Sequence, residues 1–299
     1  MRFRCEEDDW ITAYLLVPES AREGASPAVI CPHSTTGGAG KNCTAGVTGK
    51  TPGSPPGGPM ESRAYGLELA RWGYITLCID LWGDGERIPA GSQHYDSTAF
   101  YKQHPQWSMV GKNIWDVMRS VDFLRTVDAV DPTRIACMGH SLGGHTTLFA
   151  AAFDDRIAAA VSNGGQLSWV RDTSHWSRPP DPQGRPVSSY VYLPGFRPYL
   201  EDRRLPVPVD FESLMVLTAP RPLLVMGTES EFARDDIIGQ YVAAHDAYRQ
   251  HNAGDRFTLF DYPGEHAFPP VAKRHAFNWL DRWFAHTPAV PTIWPGVSI

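Results

Sequence analysis

Short, continuously apolar runs alternate along the chain with segments whose apolar positions recur at helical spacing. Residues 11–17 read as an amino-terminal strand, and 28–31, an apolar run between Pro27 and Pro32, as a buried one. Residues 37–59 contain eight Gly and four Pro, which predicts a surface loop without a helix. A helix over 61–71, ended near Gly73, leads into a strand at 74–79 that closes on Asp80. Val110, Ile114, Val117, Val121 and Leu124, spaced 4, 3, 4 and 3, mark one face of the next helix, with Asp131-Pro132 as its stop. A strand at 134–138, a helix at 142–152 and a strand at 157–161 continue the alternation.

Residues 164–208 break this rhythm. Pro179, Pro180, Pro182, Pro186, Pro194 and Pro198 lie there among Trp169, Trp176, Tyr190, Tyr192, Phe196 and Tyr199, so the segment reads as a cap insertion whose aromatics are pocket candidates. The rhythm resumes with a strand at 222–226, a helix at 236–250, a strand at 256–260 and a helix at 270–284. Strands alternating with helices require crossover connections. The expected fold is therefore α/β, a mostly parallel central sheet with helices on both faces, forming a single domain over 1–299 with the cap at about 164–208. In such sheets the chemistry lies beyond the carboxyl ends of the strands.

Composition narrows the partners. The 299 residues carry 27 Lys plus Arg against 33 Asp plus Glu, a net charge of −6, which argues against nucleic acid or an acidic membrane and for a small-molecule partner. No run approaches the length of a membrane span, and the first ten residues, MRFRCEEDDW, are acidic where a secretion leader needs a basic end, so a soluble cytoplasmic protein is expected. The five cysteines show no short CxxC spacing, and Cys31, Cys78 and Cys137 fall in apolar runs, as reduced core residues do. The eleven histidines form no HExxH or zinc-spaced cluster, so neither a metal nor another cofactor is expected. Nothing in the sequence fixes an oligomeric state.

One motif carries chemistry. Gly139-His140-Ser141-Leu142-Gly143 matches GxSxG, in which small flanking residues allow a tight turn that holds a strained serine outward. An apolar strand precedes it and a helix-like segment follows, the setting the motif needs. A serine hydroxyl requires a base, and the base requires an acid to fix its tautomer. Of the histidines after Ser141, His175 lies in the cap, and His245, His251, His275 and His286 lie in or beside helices. His266, within DYPGEHAF after the last strand, is the candidate base.

With these residues in view, the chain resembles the α/β-hydrolase superfamily, in its dienelactone-hydrolase and acetyl-xylan-esterase-like branch. The resemblance rests on CPH at 31–33 before the Gly-rich loop, LELARWGYITLCIDLWGDGER, DVMRSVDFLRTVDAVDPTRIACMGHSLGG, YLPG at 192–195, APRPLLVMG and PGEHAF. It implies a serine esterase acting on a small-molecule ester, with acetyl or aromatic esters of carbohydrates as substrates by analogy. Dehalogenases of this fold carry an aspartate, and dienelactone hydrolases proper a cysteine, where this chain has Ser141. The family's acid usually stands three residues after the glycine ending the penultimate strand, which here is Ser230. Glu231 is the favoured acid and Glu229 the second choice. The oxyanion donors implied are the amides of Leu142 and of Thr35, or else Ser34, in the segment His33-Ser34-Thr35-Thr36-Gly37-Gly38.

Two weaker patterns lead elsewhere. Thr44–Thr51 nearly spells a phosphate-binding loop, but Thr44 replaces the first glycine and prolines follow where a helix must begin. Asp80, Asp84 and Glu86 suggest a cation site, with Arg87 the expected local partner of the last two. The alternatives to an esterase are a ligand-binding protein on a hydrolase scaffold, prompted by Ser230, and a small-substrate peptidase.

Overall fold

The strands predicted as continuous apolar runs pack side by side in a computed structural model that describes residues 1–23, 25–47, 63–166, 168–170, 192–202, 204–234 and 237–289. In chain order the elements begin with β1 (Arg2–Arg4), β2 (Trp10–Leu16), β3 (Ser26–Pro32), α1 (Lys41–Thr44), α2 (Tyr65–Trp72), β4 (Ile75–Ile79), α3 (Thr98–Gln103) and α4 (Met109–Leu124). They continue with β5 (Val130–His140), α5 (Leu142–Phe153), β6 (Ala159–Asn163), α6 (Arg197–Glu201), α7 (Phe211–Thr218) and β7 (Leu223–Thr228). The last are α8 (Glu229–Arg234), α9 (Ile237–Gln250), β8 (Phe257–Tyr262) and α10 (Pro270–Phe284).

The eight strands form one sheet in the order β1-β2-β4-β3-β5-β6-β7-β8. The pairs β1–β2 and β2–β4 are antiparallel and all others are parallel. Every residue of β3, β4, β6 and β7 is buried, as strands covered on both faces must be. Alternation along β3 sends Ala28 and Ile30 to one core, with Val117, Val121, Leu148 and Phe211. Val29 and Cys31 go to the other, with Tyr65, Leu69, Phe277 and Leu280. Each large side chain so buried contributes about 1.5–3 kcal/mol.

Local structure departs from expectation in three places. The Gly-rich stretch does hold one helical turn, α1, because the Asp80 carboxylate accepts the Lys41 amide at 2.7 Å and so caps its start. Asp131-Pro132 does not stop α4, which ends seven residues before Asp131, at Leu124. Those residues lie inside β5, where pairing with β3 jumps from Ser26↔Val130 to Ala28↔Ile135 and the intervening residues bulge. Finally β1, α3, α6, α7 and α8 were not expected; none is longer than the eight residues of α7, too few for periodicity to register.

In the segment read as an insertion, Trp169 is 1% exposed and packs on Phe196, Phe211 and Phe149, with ring centroids 4.7, 4.8 and 5.9 Å away. It is a packing residue. Trp176 and Tyr190 lie outside the described residues. Among the described residues no helix is long and apolar enough to cross a membrane.

Candidate active site

The turn from β5 into α5 places Ser141 at φ 56°, ψ −121°, a left-handed conformation unusual for a residue with a side chain. The chain is crowded there: a Cβ on Gly139 would run into the backbone of Gly143. The Ser141 amide donates to the Asn163 carbonyl at the end of β6, 2.8 Å away. The strained serine is thereby tied to the neighbouring strand.

His266 lies on the loop after β8, 125 residues from Ser141, yet the Ser141 hydroxyl is 2.8 Å from its Nε2. Its Nδ1 meets Glu231 Oε1 in a short hydrogen bond. Glu231 sits in the first turn of α8, where its Oε2 accepts the Thr228 amide at 2.8 Å. Glu229 and Ser230 are exposed, and Ser230 Oγ lies 3.1 Å from Thr228 Oγ1. The hydroxyl, the imidazole and the Glu231 carboxylate thus come from the carboxyl ends of β5, β8 and β7, as a parallel sheet disposes them.

Gly164, at the end of β6, is enclosed by this group. Its φ is +58°, and a Cβ there would lie 2.9 Å from His266 Cε1 and 3.1 Å from Nδ1. His140 lies on the other side, buried, with its ring centroid 4.7 Å from that of His266.

Burial opposes the charge on Glu231, but hydrogen bonds from His266 and Thr228 outweigh it and bring the carboxyl down to about 2. At His140 burial acts first, and nearby His266 and Arg63 add to it, lowering the imidazole to about 3. His140 is therefore neutral at ordinary pH.

Leu142 opens α5, where a helix amide has no intrahelical acceptor and the dipole favours negative charge. The loop after β3 lies against this turn, since a Cβ on Gly143 would collide with the Pro32 carbonyl oxygen. In that loop His33 Nε2 accepts the Leu81 amide at 3.0 Å, and its Nδ1 donates to the Ser34 carbonyl at 2.7 Å. Because the peptide is planar and trans, turning that carbonyl toward His33 aims the Thr35 amide the opposite way. Arg63 holds the Thr35 carbonyl at 3.1 Å.

The acidic group at 80–86 is matched by the protein's own side chains. Lys41 Nζ lies 2.5 Å from both Asp80 and Glu86, and Asp84 accepts from Thr36 Oγ1 at 2.6 Å and the Tyr95 hydroxyl at 2.7 Å. Arg87 does not pair with Asp84 or Glu86. It reaches Asp9 at 2.6 Å and Asp116 at 2.5 Å, and the fully buried Asp116 carboxylate needs a cation more than the surface Glu86 does. Cys5, Glu6 and Asp9 also converge, with Lys112 against Glu6 and, at 2.8 Å, Asp9. All five cysteines are buried, and none is in a disulfide. Of the near phosphate loop, Thr44 lies in α1, and 48–51 fall outside the described residues.

Sequence reasoning did not single out His140, Asn163, Gly164 or Tyr262. Their signals were present: His140 stands inside GxSxG, Asn163-Gly164-Gly165 is a turn sequence ending a strand, and Tyr262 closes the strand that delivers His266.

A family model described as glucuronyl esterase, fungi, matches residues 87–252, more than half of the 299. "Putative hydrolase YtaP" of Bacillus subtilis (strain 168) is 24% identical over 275 residues, covering 91% of this chain and 83% of that protein. "Carbohydrate esterase MZ0003", from an unknown prokaryotic organism, is 28% identical over 195 residues, 59% of this chain but only 41% of that longer protein. The solved glucuronoyl esterase from Solibacter usitatus superposes with a TM-score of 0.68 at 18% identity, covering 93% of this chain and 79% of that one, and so shares the α/β-hydrolase fold. With the family match spanning β5, the serine turn, β6 and β7, the chain belongs to the glucuronyl esterase family and is a carboxylic ester hydrolase.

Proposed function

We propose that Ser141, His266 and Glu231 hydrolyse a carbohydrate ester through an acyl-enzyme. As Ser141 Oγ adds to the ester carbonyl, its proton passes to His266 Nε2 and the carbonyl π electrons move onto oxygen. Collapse breaks the bond to the leaving oxygen, which takes the proton from Nε2. Water then adds to the acyl carbon with the same base, releasing the acid and restoring the hydroxyl. Glu231 accepts from Nδ1, holds the tautomer that leaves Nε2 free, and stays anionic opposite the transient imidazolium.

The amides of Leu142 and Thr35 are the proposed oxyanion donors, supported by the free helix start and by the peptide plane that His33 fixes. No metal or other cofactor enters these steps. Residues 164–208 act as the cap in this reading; Tyr192 packs on Tyr95, with centroids 6.2 Å apart, and bonds the Thr35 side chain, which ties the segment to the oxyanion loop. Five buried cysteines held as thiols and not as disulfides favour a reducing compartment as the place of work.

The observation that carries the reading is the unbroken hydrogen-bonded line from Glu231 through His266 to Ser141. The family description points to esters of a uronate carboxyl as the first substrates to assay, with acetyl and aromatic sugar esters second. A fluorophosphonate probe should label the wild type and leave Ser141→Ala unlabelled. Turnover of p-nitrophenyl acetate and of a methyl glucuronate should be lost with the label. Turnover persisting in folded Ser141→Ala would refute the proposal.

A further inference from the structure

A half-exposed imidazole on a loop needs more than one contact to stay 2.8 Å from its nucleophile, for such loops are ordinarily mobile. Glu231 holds one edge of the ring. The backbone just beyond His266 is held independently: the Ala267 carbonyl accepts from Asn163 Nδ2 at 2.8 Å and from the Tyr262 hydroxyl at 2.7 Å. Both donors are buried, Asn163 ending β6 and Tyr262 ending β8. Between those strands runs β7, so the clamp spans it.

Asn163 has two further contacts. Its Nδ2 lies 2.8 Å from His140 Nδ1, and its Oδ1 lies 2.7 Å from the Tyr262 hydroxyl. With the amide in this sense Nδ2 donates one hydrogen to the Ala267 carbonyl and the other to His140 Nδ1, while the single Tyr262 hydroxyl proton is shared between Asn163 Oδ1 and the Ala267 carbonyl; turned over, the amide oxygen would face the Ala267 carbonyl. The His140 ring, fixed in this way, underlies that of His266 at 4.7 Å and 37°. The backbone carbonyl of Asn163 meanwhile accepts the Ser141 amide at 2.8 Å.

We infer that Asn163, with Tyr262, is a positioning residue that sets the distance between nucleophile and base: its main chain holds Ser141 while its side chain holds the loop of His266. The inference rests on the proposed roles of those two residues. It assigns Asn163 and Tyr262 no contact with substrate, so their loss reduces kcat and leaves KM.

The test is steady-state turnover of p-nitrophenyl acetate, the rate of fluorophosphonate labelling and thermal melting for Tyr262→Phe and Asn163→Ala. A displacement of about 1 Å at the reacting atoms costs on the order of a hundredfold, and a smaller one correspondingly less. Tyr262→Phe should lose about tenfold in kcat and Asn163→Ala about a hundredfold, with KM within about twofold and labelling slowed in parallel. Tyr74→Phe serves as the control, since its hydroxyl bonds Asp281, away from the site, at 2.8 Å; it should lower the melting temperature and leave kcat unchanged. Should Asn163→Ala not fold, Tyr262→Phe, which keeps the ring, decides alone. Wild-type kcat and labelling in folded Tyr262→Phe would overturn the inference, as would a raised KM at unchanged kcat. Turnover retained by Ser141→Ala is a different outcome, for it removes the proposed nucleophile itself.

Discussion

Gly164→Ala tests how tightly the candidate site is packed. The new methyl would stand 2.9 Å from His266 Cε1, whereas ordinary contact begins at 3.4 Å, so the ring must retreat by 3.4 − 2.9 = 0.5 Å or more. A retreat directed away from Ser141 would lengthen the 2.8 Å hydrogen bond to about 3.3 Å, beyond a good proton-transfer contact. Glu231 Oε1 lies 3.5 Å from the same point, so the carboxylate cannot follow the methyl inward. The expected loss in kcat is roughly ten- to a hundredfold. Alanine at φ +58° also costs about 1–2 kcal/mol of stability, visible as a lower melting temperature. Turnover of p-nitrophenyl acetate, read beside a melting curve, separates the two effects. A lowered melting temperature with wild-type kcat would refute the claim that Gly164 leaves the imidazole no room.

Two further outcomes follow from the carboxylate and from the buried imidazole. Glu231→Gln should reduce kcat by about a hundredfold or more, with only a small change in melting, while Glu229→Gln stays within about twofold; the opposite ranking would move the acid role to Glu229. Stability should fall on mild acidification: His140 titrates at about 3 in the folded protein against an ordinary 6.5, so the unfolded chain takes up the proton first. Its contribution is complete above pH 6.5 and drains as pH falls toward 3, amounting to about 2 kcal/mol lost by pH 5 at 1.36 kcal/mol per unit. His275, lowered by burial, acts in the same direction. Glu231, depressed from 4.5 to about 2, adds stability above pH 4.5 that is lost on the way down to 2. Urea midpoints measured from pH 7 to 5 should decline, and less steeply in His140→Asn; a flat wild-type profile contradicts the neutral, buried His140.

The order of the central strands and the long helices was legible because their hydrophobic positions must satisfy two covered sheet faces at once. Ser141 and His266 were legible as candidates for a related reason, since the chain order of a strand, tight turn and helix leaves few places for a proposed nucleophile or its base. Glu231 was the favoured candidate acid and Glu229 the second choice. Choosing between them needs the direction of α8, whose first turn buries position 231 and exposes 229. Arg87 was assigned to its sequence neighbours, but its partners Asp9 and Asp116 are 78 and 29 residues away. Long-range ion pairs of this kind leave no periodic trace. Asn163 and Tyr262 escaped notice likewise, because an ordinary amide and phenol become significant only where two strand ends meet.

The proposed acid arrives differently from its two proposed companions. Ser141 and the His266 loop are fastened to one shared residue, whereas Glu231 is delivered by a separate short helix whose own tether is to Thr228. Hydroxyl and imidazole form the fixed chassis, and the carboxylate is an exchangeable fitting. Because that tether is separate, removing the Glu231 carboxylate leaves the fastening of hydroxyl and imidazole loop to Asn163 in place.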